Sequence, residues 1–302
     1  MARDVSVSHE YVEQVVRRRK RLHRAANIGA GVFLVLFIFW TLMPFVIMLV
    51  SSFKASGDAF SLPSYGNWGT ALKKFWVFKP SLEHYKTLFV TDGYARYFKN
   101  SLLTAGGSAV VSVLFGASAA YALSRSNFRG KGNIYFWVLT TRMAPVVAVV
   151  VPLYTLFKIF GLLSSIPGLI VAYTTFNLPF AIWILKGFFD NIPYSVEEAY
   201  MVDGQGRFRA FVRILPLAAP GLVSVFVLSV FFAWNDFLFA SIMGGNAART
   251  LPVATAQMKS STTIRWGEIT AAGVLTTAPM MLLGLLIRKY LITGLTMGAV
   301  RE

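Results

Sequence analysis

The chain has 302 residues, no cysteine, 56% hydrophobic residues and only 14% charged ones. A soluble domain of this length carries roughly 25% charged residues, so much of this apolar surface is set against lipid. The lack of cysteine excludes a disulfide framework or a thiolate-ligated metal. The excess of 29 Lys and Arg over 13 Asp and Glu is accounted for by membrane topology and anionic headgroups rather than by nucleic acid.

Residues 1–24 are polar and end in a basic run, RRRKRLHR, which holds an N-terminal segment, 1–26, in the cytoplasm. No charge occurs from Ala25 to Phe53, enough for a span at about 27–50, since about 20 apolar residues cross a bilayer. The run is too long for a signal peptide and no small-residue cleavage site follows it. Residues 54–98 form the longest polar segment, with Pro63, Gly66, Gly69 and Pro80 among Trp68, Phe75, Trp76 and Tyr85. Alternation of spans puts it outside. Its own basic residues run against that placement, but the charge bias weakens in long loops.

A second span at about 100–123 is rich in Gly, Ala and Ser, residues that let helices approach closely inside a bundle. After a short basic turn, a third span covers about 133–158, interrupted by Arg142, Pro145 and Pro152. The fourth covers about 166–188 and contains Pro179. The fifth covers about 217–241, a polar outer loop takes 245–267, and the sixth runs from about 269 to 291. The interior prolines predict bends. Six crossings return both ends to the cytoplasm, and most basic residues then lie inside. His9, His23 and His84 show no metal-ligand spacing.

Between the fourth and fifth spans lies a polar and basic island, Ser195 to Pro216. Ser195 and Glu198 have the S-x-x-E spacing of a capping box, with Pro193 just ahead. Gly204 stands where a left-handed residue would end the helix. A second short helix is predicted over 206–214, with Phe208, Phe211 and Val212 apolar and Arg207, Arg209 and Arg213 basic. The island reads as a compact helix–turn–helix at the membrane surface.

Glu198-Ala199, Asp203-Gly204 and Ile214-Leu215-Pro216 resemble the EAA loop of ABC-transporter permeases. Two departures are Tyr200 in place of the second alanine, and a spacing from Gly204 to Pro216 one residue shorter than usual. The resemblance extends through NSLLTAGGSAVVSVLFGASAAYALSR, TRMAPVVAVVVPLYTLFKIFGLL, NLPFAIWILKGFFDNIP, FFAWNDFLFA and the terminal GLTMGAVRE. Together these are similar to carbohydrate permeases of the maltose-permease-like type. The resemblance implies an all-α membrane protein, a type I importer permease fold occupying 27–302, with six transmembrane helices and a cytoplasmic coupling helix. It implies a place in the bacterial inner membrane, and alternating access for a sugar or polyol.

The implied partners are a second related permease, two cytoplasmic ATPase subunits, an extracytoplasmic solute-binding protein and membrane lipid. The coupling residues would be Glu197, Glu198, Ala199, Asp203, Gly204 and Arg207. The sequence has no G-x-x-x-x-G-K-[ST] loop, so ATP and Mg belong on the partner ATPases and no cofactor is expected on this chain. Arg142, a cation at membrane depth, and the polar patch Trp234, Asn235 and Asp236 are candidates for the translocation path. A structural role competes in each case: Glu198 could only close the capping box, Arg142 could pair within the bundle, and Asn235 and Asp236 could bond neighbouring helices. An amino-acid or peptide substrate is an alternative, and an ion-coupled secondary transporter a remoter one. No nucleophile–base pair or metal cluster at credible spacing suggests an enzyme.

Overall fold

The computed structural model describes residues 9–55, 69, 73, 75–202, 204–258 and 265–296, and these form helices and connecting turns. The site candidate Asp203, much of the 54–98 segment including Trp68, and the end of the terminal GLTMGAVRE lie outside the described residues. Helix α1 runs from His9 to Ser52, 44 residues. At 1.5 Å per residue it is about 66 Å long, over twice the ~30 Å hydrocarbon core. The basic run is therefore not a separate segment. It continues the helix beyond the apolar part, Ala26–Ser52.

A short helix α2, Glu83–Lys86, passes into a π turn at Thr87–Thr91. Helix α3 then covers Tyr94–Arg125 and begins ahead of the expected residue 100. Its buried residues Ser101, Ala105, Ser108, Ser112, Gly116 and Ala120 recur every three or four positions, the spacing of one helix face. That face packs along helix α6, Ile166–Asp190. A Cβ on Gly116 would stand 2.7 Å from the Ala181 Cβ, so the small-residue stripe does allow the close approach expected of it.

The interruption expected within the 133–158 span takes the form of a sharp bend. Helix α4 (Lys131–Arg142) and helix α5 (Val146–Ile159) meet at 95°. Pro145 caps α5 and disfavours helical backbone at Ala144 before it. Pro152 and Pro179 lie inside α5 and α6, so of these three prolines only Pro145 coincides with a break.

The island forms helix α7, Tyr194–Val202, and helix α8, Arg207–Ile214. Helix α9 (Ala219–Trp234) follows at 74° to α8. Its 16 residues rise about 24 Å, short of the ~30 Å core, so a crossing needs the flanking apolar turn at 215–218 and helix α10, Leu238–Met243. Helices α11 (Leu251–Ala256) and α12 (Trp266–Thr296) complete the order. Among the described residues four helices are long and apolar enough to cross a membrane, and the bent pairs α4–α5 and α8–α9 raise the number to six if each is one span.

The segment between α10 and α11 folds back on α3. Buried Asn100 donates to the carbonyls of Ala247 and Arg249 at 3.1 and 3.0 Å, and the Ser101 hydroxyl accepts from the Leu251 amide at 2.8 Å. At the same end His84 is buried beside Glu268, 3.7 Å away, with Gly267 closed against its ring. The opposite end has its own close approach. A Cβ on Gly221 of α9 would fall 2.5 to 2.9 Å from ring atoms of the buried Phe188. Gly221→Val is therefore expected to lower the melting temperature of the solubilised protein, since overpacking costs about 1–3 kcal/mol. An unchanged melting temperature would show that the Phe188 ring moves aside freely.

Candidate functional site

Two places gather the predicted residues: the α7–α8 knob and a cavity within the bundle. In the knob, α7 begins at Tyr194, and the Val196 amide reaches the Pro193 carbonyl at 3.2 Å. Ser195 is already helical, so the expected Ser195–Glu198 capping box does not form, because Pro193 starts the helix two residues ahead of Ser195. The end of α7 agrees with expectation. Gly204 has φ +79°, the Gly204 amide bonds the Met201 carbonyl at 3.1 Å, and the Gln205 amide bonds the Tyr200 carbonyl at 3.1 Å. That pair of bonds is a Schellman turn, which uses a left-handed residue to satisfy the last carbonyls.

The neighbouring glutamates differ in burial. Glu197 is 1% exposed. Its carboxylate forms an ion pair with the Arg125 guanidinium at the end of α3 and accepts the Tyr121 hydroxyl at 2.9 Å. A second guanidinium nitrogen of Arg125 donates to the Ile192 carbonyl at 2.8 Å. Glu197 was grouped with the residues expected to meet an ATPase. Its place is instead the joint between α7 and α3. The rings of Tyr121, Phe189 and Phe211 close around this joint, Tyr121 and Phe211 at 4.8 Å, and buried Ala210 and Ile214 seat α8 on the same base.

Glu198, Ala199, Gly204 and Arg207 are exposed on the outer side of the knob. With them are two apolar side chains that the motif did not single out, Val202 at 86% and Phe208 at 77% exposure. Arg209 and Arg213 are exposed as well. The exposed surface of the knob thus combines apolar and basic side chains.

The second place is a cavity of about 260 Å³ among α4, α5, α6, α9 and α10. Arg142 and Asp236, far apart in sequence, both line it. Arg142 donates to the Phe176 carbonyl at 2.6 Å, and its guanidinium lies 4.8 and 4.9 Å from the ring centres of Phe180 and Phe232. One Asp236 oxygen accepts the amides of Phe239 and Ala240 at 3.0 and 3.3 Å, capping α10. Asn177 reaches the Ser229 carbonyl at 3.2 Å.

Trp234 and Asn235 do not line the cavity. The Trp234 indole is buried, donates to the Thr276 carbonyl of α12 at 3.0 Å and packs edge-on against Phe98. Asn235 is exposed and bonds the Phe231 carbonyl one turn back at 2.8 Å. Both hold helices rather than face the cavity. Sequence reasoning missed Tyr173, Phe176 and Asn177 on α6, which line it. Their signal was present, because residues three and four apart share a helix face, and Tyr173 and Asn177 put a hydroxyl and an amide on one face of a mostly apolar helix.

The family model described as "binding-protein-dependent transport system inner membrane component" matches residues 112–296, a stretch containing the knob and every cavity residue named above. This chain belongs to that family. The permease is 39% identical over 280 residues to the inner membrane ABC transporter permease protein YcjP of Escherichia coli K12, covering 91% of this chain and 97% of YcjP. It is 37% identical over 225 residues to the trehalose transport system permease protein SugB of Mycobacterium tuberculosis, covering 73% of this chain and 82% of SugB. Its fold matches a chain in the crystal structure of a bacterial ABC transporter involved in the import of the acidic polysaccharide alginate. There the TM-score is 0.73 at 19% identity, with 89% of this chain and 98% of that chain covered. The permease is thus an inner-membrane transport subunit with the importer permease fold.

Proposed function

We propose that this permease imports a sugar or polyol by alternating access, driven by ATP hydrolysed on separate cytoplasmic ATPase subunits. The observation that carries the reading is the knob: two short helices closed by a Schellman turn at Gly204, pinned to α3 by the Glu197–Arg125 pair, with Ala199, Val202 and Phe208 left uncovered. A rigid element with uncovered apolar side chains suits a partner that pushes on it. The partner is an ATPase subunit, one of two that hold ATP and Mg, and Glu198, Ala199, Gly204 and Arg207 are its contacts. The reading places both termini in the cytoplasm with the knob. It adds a second related permease to complete the pathway and a solute-binding protein outside, in keeping with the family's dependence on a binding protein. Sugar as the solute is supported by the trehalose system to which SugB belongs and by the aromatic cavity.

The experiment is Gly204→Val. A β-branched residue at φ +79° is strained by roughly 1–2 kcal/mol, and the space beside Gly204 is open, so any effect comes from the backbone turn. The variant is expected to insert normally, yet lose either co-purification of the ATPase or the coupling of hydrolysis to uptake. Full uptake with a normally assembled ATPase would sink the proposal.

A further inference from the structure

The cavity carries more than a passage through the bundle. Its walls are aromatic, with Phe176, Phe232 and Phe239 among them, and its polar groups converge from α4, α6 and the α9–α10 link. Tyr173 is 3% exposed, and its hydroxyl has no hydrogen-bond partner within ordinary geometry, although it interacts with the Asp236 carboxylate on the same wall. A buried hydroxyl left this way costs free energy unless something else completes it. The cavity also holds one cation and one anion. No ion pair joins Arg142 to Asp236 among the described residues. Each is satisfied separately, the cation by two rings and a carbonyl and the anion by two amides.

We infer that this cavity is a solute subsite for a single neutral sugar ring, with the Tyr173 hydroxyl and Asp236 bonding ring hydroxyls and the phenylalanines taking the C–H faces. The inference rests on the sugar reading above and adds the place, the size and the charge of what is bound. At about 260 Å³, the cavity falls below the roughly 300–1,000 Å³ of pockets for larger ligands, so it takes one ring of a longer sugar. A neutral polyhydroxyl ring can donate to the carboxylate and accept from the hydroxyl and guanidinium at once. An acidic sugar would bring its carboxylate within the same small volume as Asp236, where like charges repel most strongly. Arg142 and Asp236 already balance in charge within the cavity, so a further carboxylate would be buried there without a counter-ion of its own.

The chain has no cysteine, so one introduced thiol reports on one position. Val146 lines the cavity, while its neighbour Val147 does not and is 68% exposed. The V146C and V147C variants are prepared in the complete solubilised transporter without nucleotide or binding protein, so that delivery plays no part. Each is labelled with a small thiol reagent in the presence of maltose, trehalose or an alginate disaccharide at high concentration. The expected result is protection of V146C alone by a neutral disaccharide, about fivefold once the sugar stands at about four times its dissociation constant. The acidic disaccharide is expected to leave labelling unchanged.

In the V146C background, Tyr173→Phe removes a hydroxyl that meets the Asp236 carboxylate outside ordinary hydrogen-bond geometry, and should abolish protection without lowering the yield of complex. Equal labelling with and without neutral sugar, protection by the acidic sugar, protection surviving Tyr173→Phe, or a V146C thiol that a second permease keeps unreactive throughout would each overturn the subsite. The two readings fail separately. If the intact transporter shows ATP-driven uptake of no sugar, the sugar reading falls. If sugar uptake is present and V146C is unprotected, only the subsite falls.

Discussion

Glu197→Ala should abolish coupled uptake and destabilise the permease by about 3–5 kcal/mol, the cost of removing one partner from a buried ion pair. The variant strands the Arg125 guanidinium, whose side chain is 13% exposed, and removes the acceptor of the Tyr121 hydroxyl. Glu197→Gln keeps an acceptor and should be milder. Replacing both partners, Glu197→Leu with Arg125→Met, should recover much of the melting temperature, because a matched apolar pair avoids the desolvation that a lone charge suffers. It should recover less of the uptake, because an apolar contact does not fix the direction of α7 as a charge-assisted bond does. Thermal unfolding and uptake measured on the three variants separate the two effects. If Glu197→Ala matched the parent protein in both, the joint would be ornamental. Glu198→Ala, on the exposed side of the same helix, should leave the melting temperature alone and act only on the partner.

Asn100→Leu should have the second large effect. The side chain is 4% exposed and its amide holds two carbonyls, those of Ala247 and Arg249. Leucine leaves both without that donor, at about 1–3 kcal/mol for each that stays buried. Faster amide exchange at 247–251, where the Leu251 amide bonds Ser101, is the expected readout. Unaltered protection there would mean that Arg96, which also reaches the Ala247 carbonyl at 3.1 Å, holds the segment alone. Ser101→Ala removes one acceptor and should give a weaker form of the same change.

Much of the architecture was legible because its signals are local. Gly204 announced its left-handed turn, since few other residues adopt that backbone without strain. The Gly, Ala and Ser stripe of α3 announced a close helix partner. The phase of a nine-residue helix is another matter. Successive residues point about 100° apart, so Glu197 and Glu198 could not both face the same partner, and the motif does not say which turns inward. Only the position of Arg125, more than seventy residues earlier, decides it.

Tertiary contacts also separate the prolines. At Pro145 the chain turns through a right angle and Arg142 is fastened to the Phe176 carbonyl, whereas Pro152 and Pro179 sit inside helices that continue. Trp234 stands beside an amide and a carboxylate, a grouping that suits a sugar. A buried indole N–H equally well finds a carbonyl, and here Thr276 supplies it. The cavity assembles from α4, α5, α6, α9 and α10 only when the bundle folds, which is why Arg142 and Asp236 looked unrelated along the chain.

Helix α3 spans 32 residues, about 48 Å of straight rise, and is fastened at both extremes. Arg125 clamps one to the knob, while Asn100 and Ser101 clamp the other to the 247–251 segment. It therefore behaves as a strut. A tilt imposed at one extremity is delivered at the other as a swing of opposite sense, with no relay of side chains in between. Torque applied to the knob would reach the far face of the bundle in a single mechanical step.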